Sequence, residues 1–154
     1  MPTTKKIISI IGDSLAMPRL EQGISFFDTY EYSLSKNLSN DYYILNKSKR
    51  GNTIKNQVIP QYIYDDLEVL HPHAVIIQIG ICDCAPRIIG KRETFFLNVI
   101  APKWFKHHYI KFKSKHRIFF TKYIPKVNVQ YPLFVKLYRQ LIQILSNIKS
   151  IEKI

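Results

Sequence analysis

Three short apolar runs stand out in the pattern of hydrophobic and polar residues along the chain. They cover residues 6–11, 42–46 and 74–80, and each is followed by a turn-forming or polar stretch. Runs of this length, rich in Ile, Val and Tyr, predict β-strands. Because most of their residues are apolar on both faces, we expect each strand to be covered on both sides, as in a parallel sheet.

Segments with helical spacing separate and follow these runs. Residues 26–38 and 54–70 place apolar side chains three and four positions apart, and Pro60 predicts a kink or a late helix start. The clearest amphipathic pattern covers residues 131–148. We expect that helix to pack on the sheet, with partner binding as the alternative if its apolar face is left uncovered. Strands alternating with helices predict an α/β fold.

Polar loops follow all three predicted strands. They are Gly-Asp-Ser at 12–14, Arg-Gly-Asn-Thr at 50–53 and Gly-Ile-Cys-Asp at 80–83. Ligands of open α/β sheets bind beyond the carboxyl ends of the strands. We therefore expect these loops to meet at one edge of the sheet and to form a site there. The alternative is that Gly, Asp and Ser serve only as turn formers.

Length and charge predict one domain with two unlike parts. The 154 residues fit a single domain, 1–154, with a sheet core at 1–93, a basic aromatic cap segment at 94–130 and an amphipathic helix at 131–149. Residues 1–93 hold 11 Lys and Arg against 10 Asp and Glu. Residues 94–154 hold 12 against one, Glu152, so the second part has a different environment or a different task.

The basic segment allows three interpretations. Its lysines alternate with aromatic residues, among them Trp104, Phe112 and Phe119. This composition fits a cap over the site, an anionic membrane surface or, least well, a nucleic-acid surface. The cap and membrane interpretations are compatible, and such a cap attracts an anionic sugar polymer or lipid-linked substrate. The oligomeric state is not indicated.

Neither targeting nor cofactor chemistry is indicated. The first apolar run is too short for the core of a secretory signal, which predicts a cytoplasmic location, with the inner face of the membrane as an alternative. Cys82 and Cys84 lie too close in sequence for a disulfide framework and are expected as reduced thiols. His71 and His73 precede strand three whereas the cysteines follow it, so we expect no shared metal site and no cofactor.

Three short motifs resemble the SGNH/GDSL hydrolase family. Gly-Asp-Ser-Leu at 12–15 resembles the nucleophile block, and Arg-Gly-Asn-Thr at 50–53 resembles the second block. Gly-Ile-Cys-Asp at 80–83 resembles the third block, whose family pattern is Gly-x-Asn-Asp. The likeness covers roughly residues 5 to 90, in the family's order. It implies a flavodoxin-like three-layer sandwich with a parallel sheet, and a serine esterase acting on acyl esters, with acetyl esters of a carbohydrate or related substrate expected.

The resemblance also implies roles for individual residues. Ser14 would be the nucleophile, and the backbone amides of Ser14 and Gly51 would donate to the oxyanion. Asp13 is expected to cap the turn beside Ser14. Cys82 takes the position of the family's asparagine, and because a thiol is a weak donor, the oxyanion hole is one donor short unless Asn52 or a neighbouring amide substitutes. Asp83 keeps the next position of the block.

A second departure concerns the general base. The family's last block is Asp-x-x-His, and residues 94–154 contain no aspartate. The chain is therefore expected to stop short of the family's full domain, with the helix at its end leading into another strand. His71 and His73 are expected at the wrong end of the sheet. The remaining candidates for the base are His107, His108 and His116.

Two functions remain open from the sequence. The first is the ester hydrolase, in which Arg50 and Arg87 either bind an anionic group of the substrate or are merely solvated. The second is a catalytically impaired SGNH-like remnant that binds an anionic membrane surface or a partner subunit. Without a base, Ser14 is a weak nucleophile.

Overall fold

The first strand is the centre of a three-stranded parallel sheet with the order β2-β1-β3. The computed structural model describes residues 5–154 and places β1 at Lys6–Gly12, β2 at Tyr42–Asn46 and β3 at Ala74–Gln78. Ile10 and Ile11 of β1 are fully buried, as expected for a strand covered on both faces. The predicted α/β fold with a parallel sheet is confirmed, whereas residues 1–4 of the predicted domain lie outside the described residues.

The chain returns to the sheet at its last residues. The amide of Val75 donates to the Lys153 carbonyl at 2.9 Å, and the amide of Glu152 donates to the His73 carbonyl at 2.9 Å. This parallel bridge lies on the side of β3 that faces away from β1. The last helix thus leads back to the sheet, but only through this isolated bridge, and the expected further strand is not formed within the described residues.

Eight α-helices and four short 3-10 turns surround the sheet within the described residues. The 3-10 turns are Ser14–Ala16, Leu20–Gln22, Phe26–Asp28 and Glu68–Leu70. The helices are α1 Tyr30–Asn37, α2 Ile54–Gln57, α3 Pro60–Asp66, α4 Ile81–Cys84, α5 Lys91–Val99, α6 Lys103–Lys115, α7 Arg117–Tyr123 and α8 Tyr131–Ser146.

Two predicted helices are divided where a local residue competes with the helical backbone. In the segment 26–38, the Thr29 hydroxyl accepts a hydrogen bond from the Tyr32 amide at 3.3 Å, which starts α1 anew after a 3-10 turn. In the segment 54–70, Pro60 occupies the first turn of α3 and Ile59 before it is extended. The break expected at Pro60 is confirmed; the break at Thr29 was not predicted.

Helix α8 supplies much of the core beneath the sheet. Leu141 and Leu145 are fully buried and cluster with Ile11 and Val75 of the strands. Phe134, Leu137 and seven other partly buried apolar residues pack around this cluster, and the predicted apolar face of 131–148 is thus a core face. Partner binding through this face is therefore not supported.

One carboxylate holds the basic segment together. Glu93 of α5 accepts hydrogen bonds from the Gly90 amide at 2.9 Å, the Tyr109 hydroxyl at 2.7 Å and the Lys126 ammonium. The Lys113 ammonium lies 3.4 Å from it, and only 8% of the Lys113 side chain is exposed. Helices α5 and α6 and the segment after α7 are thus joined at a single acid.

The same contacts lower the pKa of Glu93 to about 2. Burial by itself would raise this pKa, but the hydrogen bonds from Gly90, Lys126 and Tyr109, and then the charge of Lys113, outweigh it. A folded-state pKa below the unfolded value means that the ionised form stabilises the fold. This contribution is fully present above the unfolded pKa and is lost as the pH falls through the folded pKa.

We expect Glu93→Gln to lower the free energy of unfolding by about 2 kcal/mol at pH 7, the scale of a charged hydrogen bond at a partly screened site. Because the wild-type advantage depends on the carboxylate, it should shrink as the pH falls from 4.5 toward about 2. Urea unfolding at several pH values measures this. Glu21→Gln removes an exposed ion pair with Arg50 and serves as the control. A Glu93→Gln deficit that stays constant down to pH 2 would contradict the role given to the charge.

Candidate active site

The backbone turns sharply after β1, directly before Ser14. Asp13 caps the 3-10 turn Ser14–Ala16, and its Oδ1 accepts a hydrogen bond from the Leu15 amide at 2.9 Å. This confirms the capping role expected for Asp13. A Cβ at Gly12 would lie 2.9 Å from the Gln78 carbonyl oxygen, so only glycine lets the ends of β1 and β3 approach this closely.

The Asp13 carboxylate also joins the first loop to the third. Its Oδ2 accepts from the Cys82 amide at 3.4 Å, while the Asp13 amide donates to the Gln78 carbonyl at 3.2 Å. Asp13 is 1% exposed. A buried carboxylate is tolerated when backbone amides satisfy it, and here those amides come from the turn after β1 and from α4.

The second loop is fastened to the end of β1 by Asn52. Its Nδ2 donates to the Gly12 carbonyl at 3.0 Å, and its Oδ1 accepts from the Thr53 amide at 3.1 Å. Asn52 is 2% exposed. This side-chain amide therefore positions the loop, and one of its two N–H groups is used by the Gly12 carbonyl.

The buried side chain of Asp83 connects the third loop to the end of the second. Its carboxylate accepts from the Ile54 amide at 3.0 and 3.2 Å, at the start of α2, and its side chain is fully buried. Its backbone carbonyl accepts from the amides of Asn128 and Val129 at 3.0 and 3.1 Å. Asp83 thus holds the framework of the site, and the expected convergence of the three loops is confirmed.

Several backbone amides at this convergence have no acceptor within residues 5–154. Those of Ser14 and Gly51, the two residues predicted to bind the oxyanion, are among them. Gly51 has φ +68°, and open space lies where a Cβ would be. Ser14 is partly exposed, and in the described part of the chain no side chain hydrogen-bonds to its hydroxyl. The roles of both residues stay predictions.

The two arginines predicted to bind substrate have different surroundings. Arg50 pairs with Glu21 at 3.0 Å and donates to the Pro18 carbonyl at 3.2 Å, so its charge is already compensated. Arg87 donates from Nη2 to the Cys82 carbonyl at 3.2 Å and has no acid partner within the described residues. Arg87 is therefore the better placed of the two to meet an anionic group.

Sequence reasoning missed two asparagines that position the loops. Asn46, the last residue of β2, donates to the Ala16 carbonyl at 2.7 Å and to the Glu31 carboxylate at 2.8 Å, which fixes the far side of the Ser14 turn. Asn128 donates to the Cys82 carbonyl at 2.6 Å. A polar residue closing an apolar strand was a usable signal for Asn46, whereas Asn128 lies in a segment without a motif.

Comparisons with known proteins were made for the whole chain. No protein-family model and no curated protein match the sequence. Two solved structures, both catalytic mutants of Axe2, an acetylxylan esterase from Geobacillus stearothermophilus, match with TM-scores of 0.50 and 0.51 at 14% and 16% identity. A GDSL-like lipase from Parabacteroides merdae matches with a TM-score of 0.38 at 15% identity, over 97% of this chain and 78% of that one.

The match to the two Axe2 structures covers 96% of this chain and 58% of each of theirs. The chain therefore spans less than two thirds of their length. The fold is that of the SGNH/GDSL hydrolases. At such low identity the likeness establishes the fold, and the chemistry has to be argued from this chain's own residues.

Cys82, which the resemblance puts at the third-block asparagine position, carries a thiol beside the Asp13 carboxylate. Burial raises the pKa of the Cys82 thiol, and the charge of Asp13 and the hydrogen bond to it raise the pKa further. Cys82 is therefore kept protonated near neutral pH. It is a weak hydrogen-bond donor and a poor nucleophile.

The histidines of the described chain lie away from Ser14. Nδ1 of His73 lies 3.1 Å from the Glu152 carboxylate, directly before β3, and His71 lies in the turn before it. His108 contacts the Trp104 carbonyl at 2.8 Å on α6, and His116 packs on Phe112 with ring centroids 4.8 Å apart. Across residues 5–154, no histidine contacts Ser14, and no group of His, Cys, Asp and Glu is arranged to hold a metal ion.

We expect Asp13→Asn to raise the alkylation rate of Cys82 by iodoacetamide at pH 8. The sign follows because removing the charge and the acceptor lowers the thiol pKa and increases the thiolate fraction. Peptide mass spectrometry reads each cysteine separately.

Cys84 is the internal control for this experiment, since its pKa is raised by burial and by Asp83. A parallel increase at Cys84 would indicate unfolding. Asp65→Asn, at an exposed position of α3, is the matched control variant. Equal Cys82 rates in the wild type and in Asp13→Asn would show that the Asp13 charge does not act on this thiol.

Proposed function

We propose that this protein is a serine ester hydrolase of the SGNH/GDSL type, acting on an acyl ester, expected to be acetyl, of a carbohydrate or related substrate. The observation that carries the proposal is the placement of Ser14 on a capped turn after β1, with its own amide and that of Gly51 unused by the protein. The whole chain is proposed to act as one domain, with the basic segment as its cap.

The proposed chemistry starts with attack by Ser14 Oγ on the ester carbonyl. The carbonyl oxygen gains negative charge, which the amides of Ser14 and Gly51 would stabilise, and each well-placed donor is worth about 3–4 kcal/mol in the transition state. The alcohol leaves with a proton, and water hydrolyses the acyl-enzyme. Cys82 adds little here, because its S–H is a weak donor.

Removal of the proton from Ser14 is the slow part of this scheme. In serine hydrolases that use a triad as a unit, loss of the histidine costs on the order of 10⁶ in turnover. Since no histidine contacts Ser14 within the described residues, the proposal implies slow acylation by this chain alone. A soluble base that enters the site would accelerate it.

We expect a Ser14-dependent release of p-nitrophenol from p-nitrophenyl acetate that increases when imidazole is added as an external base. Ser14→Ala should lose this component entirely and retain only the background reaction of imidazole with the ester. Acetylation of Ser14, detected by peptide mass spectrometry, identifies the acyl-enzyme.

Ser33→Ala provides the matched control, because Ser33 is an exposed serine on α1. It should behave as the wild type in both rate and labelling. Equal rates for the wild type and Ser14→Ala at every imidazole concentration would remove Ser14 from the mechanism and, with it, the proposed hydrolase.

A second activity, docking on an anionic membrane surface, is favoured by the exposure of the basic segment. Five of its large apolar side chains are more than half exposed on α6 and α7 or at their ends: Trp104 (67%), Phe112 (55%), Ile118 (81%), Phe119 (52%) and Tyr123 (63%). The aromatic residues expected to be packed beneath a cap are therefore largely at the surface. Aromatic groups among lysines suit the headgroup region of an anionic bilayer.

This docking would be peripheral. Between residues 5 and 154 the structure contains no helix long and apolar enough to cross a bilayer. A location in the cytoplasm at the inner face of a membrane would place the basic segment against anionic lipid, and it is proposed on that ground.

Trp104 is the only tryptophan of the chain, so its fluorescence reports on docking directly. We expect a blue shift with phosphatidylcholine vesicles that contain phosphatidylglycerol, a smaller response without the anionic lipid, and weakening at high salt. Ile118→Ala combined with Phe119→Ala should reduce vesicle affinity about tenfold, as expected for losing two inserted side chains.

Phe27→Ala is the control, because Phe27 is 69% exposed but lies outside the basic segment. Vesicle binding that is equal with and without phosphatidylglycerol, or that falls equally in both variants, would contradict docking through α6 and α7.

A further inference from the structure

A cavity of about 360 Å³ lies between the connection from α4 to α5 and the helices α5, α6 and α7. Three of the side chains that line it are cationic: Arg87, Lys106 and Arg117. Thr94 and Asn98 add polar groups, and the remaining lining residues are apolar. The lining of the cavity is thus partly cationic and partly apolar, and none of the lining side chains is acidic.

The charges of this lining are not neutralised by the protein. Lys106 donates to the Asn98 side-chain oxygen at 2.6 Å, and Arg87 donates to the Cys82 carbonyl at 3.2 Å, and both of these acceptors are uncharged. Within residues 5–154, none of the three cations lies within 4.0 Å of a carboxylate. The nearby acid of α5, Glu93, is engaged by other groups, as described above.

Arg87 connects the cavity to the candidate active site. The carbonyl that accepts from Arg87 belongs to Cys82, and the amide of the same residue donates to the Asp13 carboxylate. Asp13 directly precedes Ser14. Two hydrogen bonds through Cys82 thus join Arg87 to the residue that precedes Ser14.

We infer that this cavity binds an acidic group, a carboxylate or a phosphate, of the ester substrate. The assignment to the substrate rests on the proposed ester hydrolase, whereas the anion site itself does not. Guanidinium groups form paired hydrogen bonds with carboxylate and phosphate oxygens, and Arg87 and Arg117 supply two of them. The apolar part of the lining would accommodate the carbon skeleton next to the acid.

Direct binding tests the cavity without any turnover. Inorganic phosphate and benzoate are titrated separately by calorimetry into the intact protein at constant ionic strength. We expect at least one of them to bind, and Arg117→Gln to weaken that binding about tenfold, the scale of a lost charged hydrogen bond. Lys111→Gln, an exposed residue of α6 outside the cavity, should leave it unchanged. Failure of both probes to bind, or equal losses in the two variants, overturns the proposal.

A pair of esters tests the link to the substrate. The ratio of kcat/KM for 4-acetoxybenzoate to that for its neutral methyl ester is compared among the wild type, Arg117→Gln and Lys111→Gln, with imidazole present. We expect the ratio to fall about tenfold in Arg117→Gln alone.

The possible outcomes distinguish failure of the anion site from failure of the proposed hydrolase function. Anion binding that depends on Arg117, in a protein that hydrolyses neither ester, supports the site and removes the proposed function. Hydrolysis through Ser14 with an unchanged ester ratio overturns the substrate assignment. If Arg117→Gln instead weakens binding to phosphatidylglycerol vesicles and leaves the ester ratio unchanged, the acidic group is that of a lipid, and the substrate assignment is likewise overturned.

Discussion

The buried carboxylate of Asp13 is the interaction on which the site depends. It lies at the end of the central strand, and its two oxygens accept backbone amides from different loops. Burying this charge is unfavourable unless those amides reach it, so the turn after β1 and the start of α4 have to stay together. Asp83 does the same one level deeper, between α4 and α2. The buried carboxylates of Asp13 and Asp83 thus hold together three loops that are distant in sequence.

Features that depend on residues close together in the sequence could be predicted, whereas those that depend on tertiary contacts could not. The strands were predictable because each is a short, mostly apolar run, and β2 has the predicted bounds. Burial on both faces holds for β1, whereas Tyr43 of the edge strand β2 is 57% exposed. The order of the loops and the cap at Asp13 followed from turn chemistry placed after each strand. By contrast, the break at Thr29 depends on a side chain competing for a backbone amide, which periodicity does not register.

The sequence predicted where the site lies, but it predicted less well which contacts each residue makes there. Asn52 follows the glycine of the second block and was considered as a substitute donor, yet its amide holds the Gly12 carbonyl. That choice depends on the close approach of the second loop to β1, a tertiary contact invisible in a linear pattern. Asn46 and Asn128 were missed for the same reason, since their partners lie 30 and 46 residues away.

Charge is distributed in this chain so that binding and chemistry are separable. Glu93 concentrates four hydrogen-bonding partners on one acid and leaves the cations around the neighbouring cavity without a carboxylate. Attraction of an anion to Arg87 needs only those fixed charges, whereas the proposed acylation of Ser14 needs a base, and no histidine of the described chain hydrogen-bonds to Ser14. Under the proposed function, the chain would hold an acidic ester beside Ser14 and transfer the acyl group slowly. In such a protein, affinity for the substrate is a better guide to function than turnover.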